Sequence, residues 1–199
     1  MTALQMGEGS IFRILRIPTV LLMLMFGMVS TGSLAFLDPT LQPHLAKFGL
    51  SSFYVGLFFL ITSALYTVSA PTSGWLVDKK GHGQEIMLFG TITMIIGFLL
   101  CGPSPLLSLP NELWIIGLAL GIIGVGIGAQ LIPPFTECIN AAKNYGIPDN
   151  LHTYGMISGL FQGASSLGSF IGPTFGGILA DSVGFPQATT LMSLLHLLL

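Results

Sequence analysis

Charge is what this sequence has least of. Only 7% of its 199 residues are Asp, Glu, Lys or Arg, and 52% are hydrophobic; soluble domains carry about 25% charged residues. A water-soluble globular domain is therefore excluded, and a mean hydropathy of +0.84 points to an integral membrane protein. Basic residues are scarce too. Six Lys and Arg with a net charge of −2 leave no footprint for nucleic acid. There are two cysteines, Cys101 and Cys138, far apart and in or beside apolar runs. They form no CxxC pair and no metal spacing, so no redox or zinc reading follows. The N-terminus, MTALQMGEGSIFRILR, has no signal-peptide pattern with a small-residue cleavage site.

What is abundant is apolar length. A bilayer core about 30 Å thick needs roughly 20 apolar residues in a helix. Uncharged runs cover residues 17–37, 53–77, 86–101, 113–135 and 153–180, and a shorter run, ATTLMSLLHLLL, covers 188–199. The expectation is an all-α membrane protein with five full transmembrane helices and a truncated sixth. Residues 1–16 are read as a loose cytoplasmic segment and 17–199 as one helical bundle. The connectors DKKGHGQE, GPSPLLSLPNE, ECINAAKNYGIPDN and DSVGFPQ leave no room for a soluble domain. Arg13, Arg16, Lys79, Lys80 and Lys143 fall on one side of these runs and only Lys47 on the other. Basic loops stay in the cytoplasm, so the N-terminus is expected there.

The fourth run, IIGLALGIIGVGIGAQLIPPF, places Gly117 and Gly121 four apart, and Gly124 and Gly128 likewise. Small residues at this spacing let helix backbones approach closely in lipid. GVGIG is not a nucleotide loop, because no strand precedes it. Pro133 and Pro134 are expected to end this helix, or at least to bend it near the cytoplasmic side.

Two motifs add a resemblance. GWLVDKKG, with Gly74, Asp78, Lys79 and Gly81, resembles the gating-loop motif of the major facilitator superfamily. HGQE follows where that motif has further basic residues. GSFIGPTFGG, with Gly168, Gly172, Pro173, Gly176 and Gly177, resembles the glycine–proline motif of the superfamily's proton antiporters. A proline and small residues there allow a kinked, tightly packed helix. GSLAFLDPTL ahead of both, and GFP after them, are similar to the vesicular amine transporters, most closely their polyamine branch.

The resemblance implies a proton-coupled antiporter of organic cations, polyamines or related amines, in a vesicle or other acidic organelle membrane. It implies no cofactor beyond the proton as coupling ion. The family has twelve helices in two halves, and this chain matches the C-terminal half. A fragment is therefore expected, with a missing N-terminal half or a full-length partner alongside the lipid bilayer and the small cationic amine. The rival expectation is a non-transporting truncated bundle that associates with a partner.

Asp38 is the central candidate for binding substrate or proton. If the first helix continues past Leu37, Asp38 shares a stripe with Thr31, Leu34 and Gln42, and intramembrane carboxylates are functional by default. If it stops, Asp38 before Pro39 is an N-cap outside the membrane. Tyr66 is a candidate for cation–π contact with the amine, with packing the alternative. Gln162 stands where the monoamine branch carries an aspartate. Glu137 is a proton site or a helix end. Phe135 and Phe161 read as packing, and His44, His82 and His152 as solvated. One enzymatic reading remains: GASS at 163–166 with His196 is similar to the serine–histidine dyad of rhomboid proteases, although GxSG is wanted and His196 lies in a ragged end. A nucleophile needs a placed base, so no enzyme is expected.

Overall fold

A computed structural model describes residues 11–103, 110 and 112–199. Among the described residues, a short helical stretch at 11–15 is followed by six helices in order: α1 Pro18–Ala46, α2 Ser52–Lys80, α3 Gly83–Cys101, α4 Leu113–Asn144, α5 Leu151–Val183 and α6 Phe185–Leu197. Among the described residues there is no strand. Helices α1 to α4 are long and apolar enough to cross a membrane. Helix α5 matches them in length at 33 residues, with a sequence rich in glycine and serine, and α6 has 13 residues.

Local chemistry sets the ends. Pro18 opens α1, where its missing N–H costs nothing. Gly81 closes α2 in the left-handed conformation at φ +64°, its N–H bonded to the Val77 carbonyl at 2.9 Å. The Asn150 side chain caps α5 by accepting from the Thr153 N–H at 2.9 Å. Gly184, at φ +88°, is the sole residue between α5 and α6.

The structure lengthens several sequence-based spans. Residues 11–15 are helical and Ile14 is fully buried, so that part of the segment expected to be loose is docked; residues 1–10 lie outside the described residues. Helix α4 does not end at the double proline but runs ten residues on, to Asn144. Pro133 and Pro134 remove the N–H groups that would reach the Ala129 and Gln130 carbonyls. There α3 packs in close: a Cβ on Gly90 would sit 2.8 Å from the Gln130 nitrogen and 3.0 Å from the Ala129 carbonyl carbon. A neighbouring helix thus covers the interrupted ladder. The GPSPLLSLP turn falls largely on residues 104–109, outside the described residues.

Helix α1 packs chiefly on α5, while α4 is gripped by α3 and α2. The α4 glycines do what their spacing predicts. A Cβ on Gly124 or Gly128 would run into Thr62 and Ser69 of α2, and Ser69 donates to the Gly124 carbonyl at 3.1 Å. Gly117 and Gly121 meet the flexible ends of Phe58, Ile61 and Leu65.

Two apolar clusters fill the bundle. One holds Phe36, Leu41, Met94, Phe98, Leu120 and Ile127. The other holds Ile14, Val20, Met23, Met87, Cys138 and Ile157. Between the clusters α1, α3 and α4 each contribute polar side chains: buried Ser30 and Ser33, half-buried Thr91 and buried Gln130. A belt of polar side chains therefore crosses the middle of the bundle.

Candidate functional site

Asp38 lies inside an unbroken helix. Helix α1 carries both Pro39 and Pro43 internally and continues to Ala46, so the capping alternative does not apply. A helix of this length spans about 43 Å, and Asp38 lies about 9 Å beyond its midpoint. Its side chain is exposed toward a groove between α1, α2 and α5. That groove encloses about 370 Å³ and includes Thr31, Leu34, Asp38, Thr62, Ser169 and Pro173 in its wall. The volume is in the range of small-ligand sites, which run from about 300 to 1,000 Å³.

The glycine–proline motif builds one wall of this groove. Gly168, Gly172 and Gly176 form a stripe along α5 that faces α1. A Cβ on Gly168 would collide with the Met28 carbonyl, one on Gly172 with the Gly32 carbonyl, and one on Gly176 would lie 2.5 Å from the Phe36 ring. Thr31 closes the seam by donating to the Ser165 carbonyl at 2.8 Å. Gly177 faces open space, with nothing within 4 Å of a Cβ there. The stripe thus fixes α5 against α1, and the adjacent Ser169 and Pro173 turn toward the groove that Asp38 shares.

Two helix prolines flank the groove. Pro39 and Pro173 sit inside α1 and α5. Each removes the N–H that would bond the carbonyl four residues earlier. Those carbonyls belong to Ala35 and Ser169, both of which line the groove. Thr62 adds a hydroxyl that is buried and makes no hydrogen bond. Asp38 is thus the one carboxylate of a mostly apolar wall whose other polar side chains are Thr31, Thr62, Ser63 and Ser169.

The other sequence candidates lie elsewhere. Gln42, one turn beyond Asp38, is exposed and outside the groove wall. Tyr66 is half-buried and packs on the first apolar cluster. Gln162 is exposed and bonds Ser166 at 3.4 Å. Glu137 lies toward the opposite end of the bundle, in a polar pocket of about 450 Å³ with Gly81, His82, Glu85, Asn140 and Lys143. Its carboxyl fills the space beside Gly83, 2.5 Å from where a Cβ would stand. Of the loop motif, Gly74 faces Ile132 and Lys79 lies over the Trp75 ring at 4.7 Å. Asp78 is exposed.

Phe135 and Phe161 pack edge to face at 5.8 Å. His82 pairs with Glu85, and His152 is exposed. His44 corrects the expectation of a solvated ring: it is buried and stacks on Phe185 with centroids 4.2 Å apart. His196 is a larger correction. It is fully buried in the polar belt, and its ring nitrogens contact Gln130 at 3.1 Å and Ser33 at 3.0 Å. Neither partner is Ser165, so the serine–histidine dyad is not assembled. Sequence reading missed this site because its members come from four helices with no common spacing.

The major facilitator superfamily profile matches residues 23–199, which take in the groove, the loop motif and the glycine–proline stripe. The chain belongs to the major facilitator superfamily. Within it, the chain is 38% identical over 195 residues to the MFS-type transporter SLC18B1 of Rattus norvegicus, covering 96% of this chain and 43% of the relative. Identity to the Homo sapiens protein of the same name is 36% over 190 residues, or 94% of this chain and 42% of the relative. The chromaffin granule amine transporter of Homo sapiens is 26% identical over 197 residues, covering 94% and 34% respectively. The likeness to vesicular amine transporters read from the motifs is thus borne out. The chain spans less than half the length of the curated relatives it matches. No solved structure matches it. As a superfamily member it is a multi-pass helical membrane protein.

Proposed function

We propose that the chain is the cation-binding half of a proton-coupled antiporter that moves small organic amines, polyamines among them, into an acidic compartment. The observation that carries the reading is Asp38 inside α1, facing a groove whose α5 wall is Ser169 and Pro173 of the glycine–proline motif. Ionised, the carboxylate attracts an ammonium group; protonated, it releases it. One group serving both ligands links the two fluxes. The carbonyls of Ala35 and Ser169 and the Thr62 hydroxyl supply further acceptors for ammonium N–H groups.

Access alternates by rocking this half against a second one around the groove. The basic loops, and with them the N-terminus, face the cytoplasm. Relatives such as the synaptic vesicular amine transporter of Bos taurus support an amine cargo and a vesicle membrane.

The test is amine uptake into liposomes with an imposed proton gradient, using the chain co-expressed with the N-terminal half of the rat relative. Uptake that needs both halves, vanishes in Asp38→Asn and is partly kept in Asp38→Glu is the expected result. Uptake at the unsubstituted rate in Asp38→Asn would remove Asp38 from the mechanism. Assembly of the two halves without any uptake would favour a bundle that associates but does not transport.

A further inference from the structure

The polar belt holds an ionisable side chain that the groove does not use. His196 on α6 is fully buried, with Phe98 stacked at 5.8 Å. Its hydrogen-bond chain can be ordered from one end. The Thr91 hydroxyl donates to the Met87 carbonyl at 2.9 Å. Its oxygen must then accept from the Gln130 amide, whose Nε2 lies 3.2 Å away. The same NH₂ group lies 3.1 Å from His196 Nδ1, so Nδ1 accepts. The ring proton therefore sits on Nε2 and is donated to Ser33 Oγ at 3.0 Å. The remaining atom of the set is the Gln130 carbonyl oxygen, which is buried and makes no hydrogen bond. Leaving such an acceptor unpaired costs about 1–3 kcal/mol.

We propose that His196 is a proton-binding residue in the core of the bundle, with Gln130 as the amide that turns to suit either protonation state. A proton from water adds to the Nδ1 lone pair and makes an imidazolium with two N–H donors. Rotation of the Gln130 amide brings its spare carbonyl oxygen to Nδ1–H, and Nε2–H keeps Ser33. Release of the proton reverses the turn. The ligand is the proton alone, and no bond between heavy atoms changes.

The surroundings are otherwise free of charge. From α1 the ring meets Ser33, from α4 Gln130, and from α3 Phe98, with Thr91 one hydrogen bond away through Gln130. The charged residues of those helices are engaged elsewhere: Asp38 in the groove, Glu85 with His82, Glu137 beside Gly83, and Lys143 with Asp149. A cavity of about 280 Å³ has His196 and Thr91 in its wall and Gln84, at the start of α3, at another point of it. None of this depends on amine transport.

The test is nitrogen NMR of the ¹⁵N-histidine-labelled chain in lipid nanodiscs, acidified from neutral pH. Substituting His44, His82 and His152 in turn assigns the fourth signal without touching His196. The expected neutral form carries its proton on Nε2 and converts to imidazolium on acidification. Gln130→Glu should raise that midpoint, and Gln130→Leu lower it, each by about one pH unit or more. An Nδ1–H tautomer would overturn the proposal. So would a ring that stays neutral while His82 and His152 titrate, or a midpoint indifferent to residue 130. Should the Gln130 variants not fold, the tautomer and titration of the unsubstituted chain decide alone.

Discussion

Gly172 of α5 stands so close to the Gly32 carbonyl of α1 that no methyl group fits between them. The obstacle is backbone, which cannot turn aside as a side chain would. Gly172→Ala must therefore separate the two helices, and overpacking of this kind typically costs about 1–3 kcal/mol. Gly177→Ala, on the same helix but facing open space, has no such obstacle. Thermal unfolding in detergent should show the first variant melting earlier and the second melting with the unsubstituted chain. Equal melting would mean that the stripe is not a contact seam.

Pro173 separates stability from binding. Replacing it with alanine restores an N–H inside α5 and closes the hydrogen bond to the Ser169 carbonyl. The helix should gain stability, by up to about 3 kcal/mol on the helix-interior scale. The groove should lose one free acceptor. The expected outcome is a chain that melts later and binds spermine more weakly, read by thermal unfolding and calorimetry on the same preparation. Tighter or unchanged binding would show that the Ser169 carbonyl does not serve the groove.

Much of the architecture was legible in the sequence because apolar length is a strong signal in a chain with so few charges. The helix order and the close-packing glycines of α4 followed from run length and spacing. Boundaries were less legible where local chemistry is two-valued. Asp38–Pro39 suits an N-cap as well as a helix interior, and Leu41 and Leu45, both buried, decide for the interior. Pro133 and Pro134 read as a stop, yet α3 packs Gly90 over the gap and the helix goes on. His196 was illegible as a site. A lone histidine in a leucine run reveals nothing until Ser33, Thr91 and Gln130 arrive from three other helices.

The turn between α4 and α5 should respond to acid. Lys143 and Asp149 pair at 2.9 Å, and the Lys143 side chain lies over Tyr154 at 5.6 Å. The hydrogen bond from Lys143, then that with Tyr154, holds the Asp149 carboxyl below its ordinary value. A depressed carboxylate stabilises the fold above its unfolded pKa of about 3.9 and loses that contribution as pH falls through the lower, folded value. Both partners are well exposed, so the effect is local and weakened by salt. Hydrogen exchange of residues 145–150 should quicken below about pH 4. Asp149→Asn should exchange at the faster rate already at neutral pH. A protection pattern that ignores both changes would show the pair to be incidental.

Helix α6 is held to α1 by aromatic contact as well as by the polar belt. Phe185 is 5% exposed at the start of α6 and stacks on the buried His44. Phe185→Ala removes the ring and leaves a cavity beside the first apolar cluster, a change that costs about 3–5 kcal/mol in well-packed cores. Phe185→Leu keeps most of the volume without the stacking partner, and should cost less than half as much. If α6 docks as a unit, loosening its start should also loosen its end, where His196 reaches Ser33. Hydrogen exchange of α6 amides should therefore rise along the whole helix in Phe185→Ala, and little in Phe185→Leu. A rise confined to the first turn would show that the polar belt anchors the far end of α6 without help from Phe185.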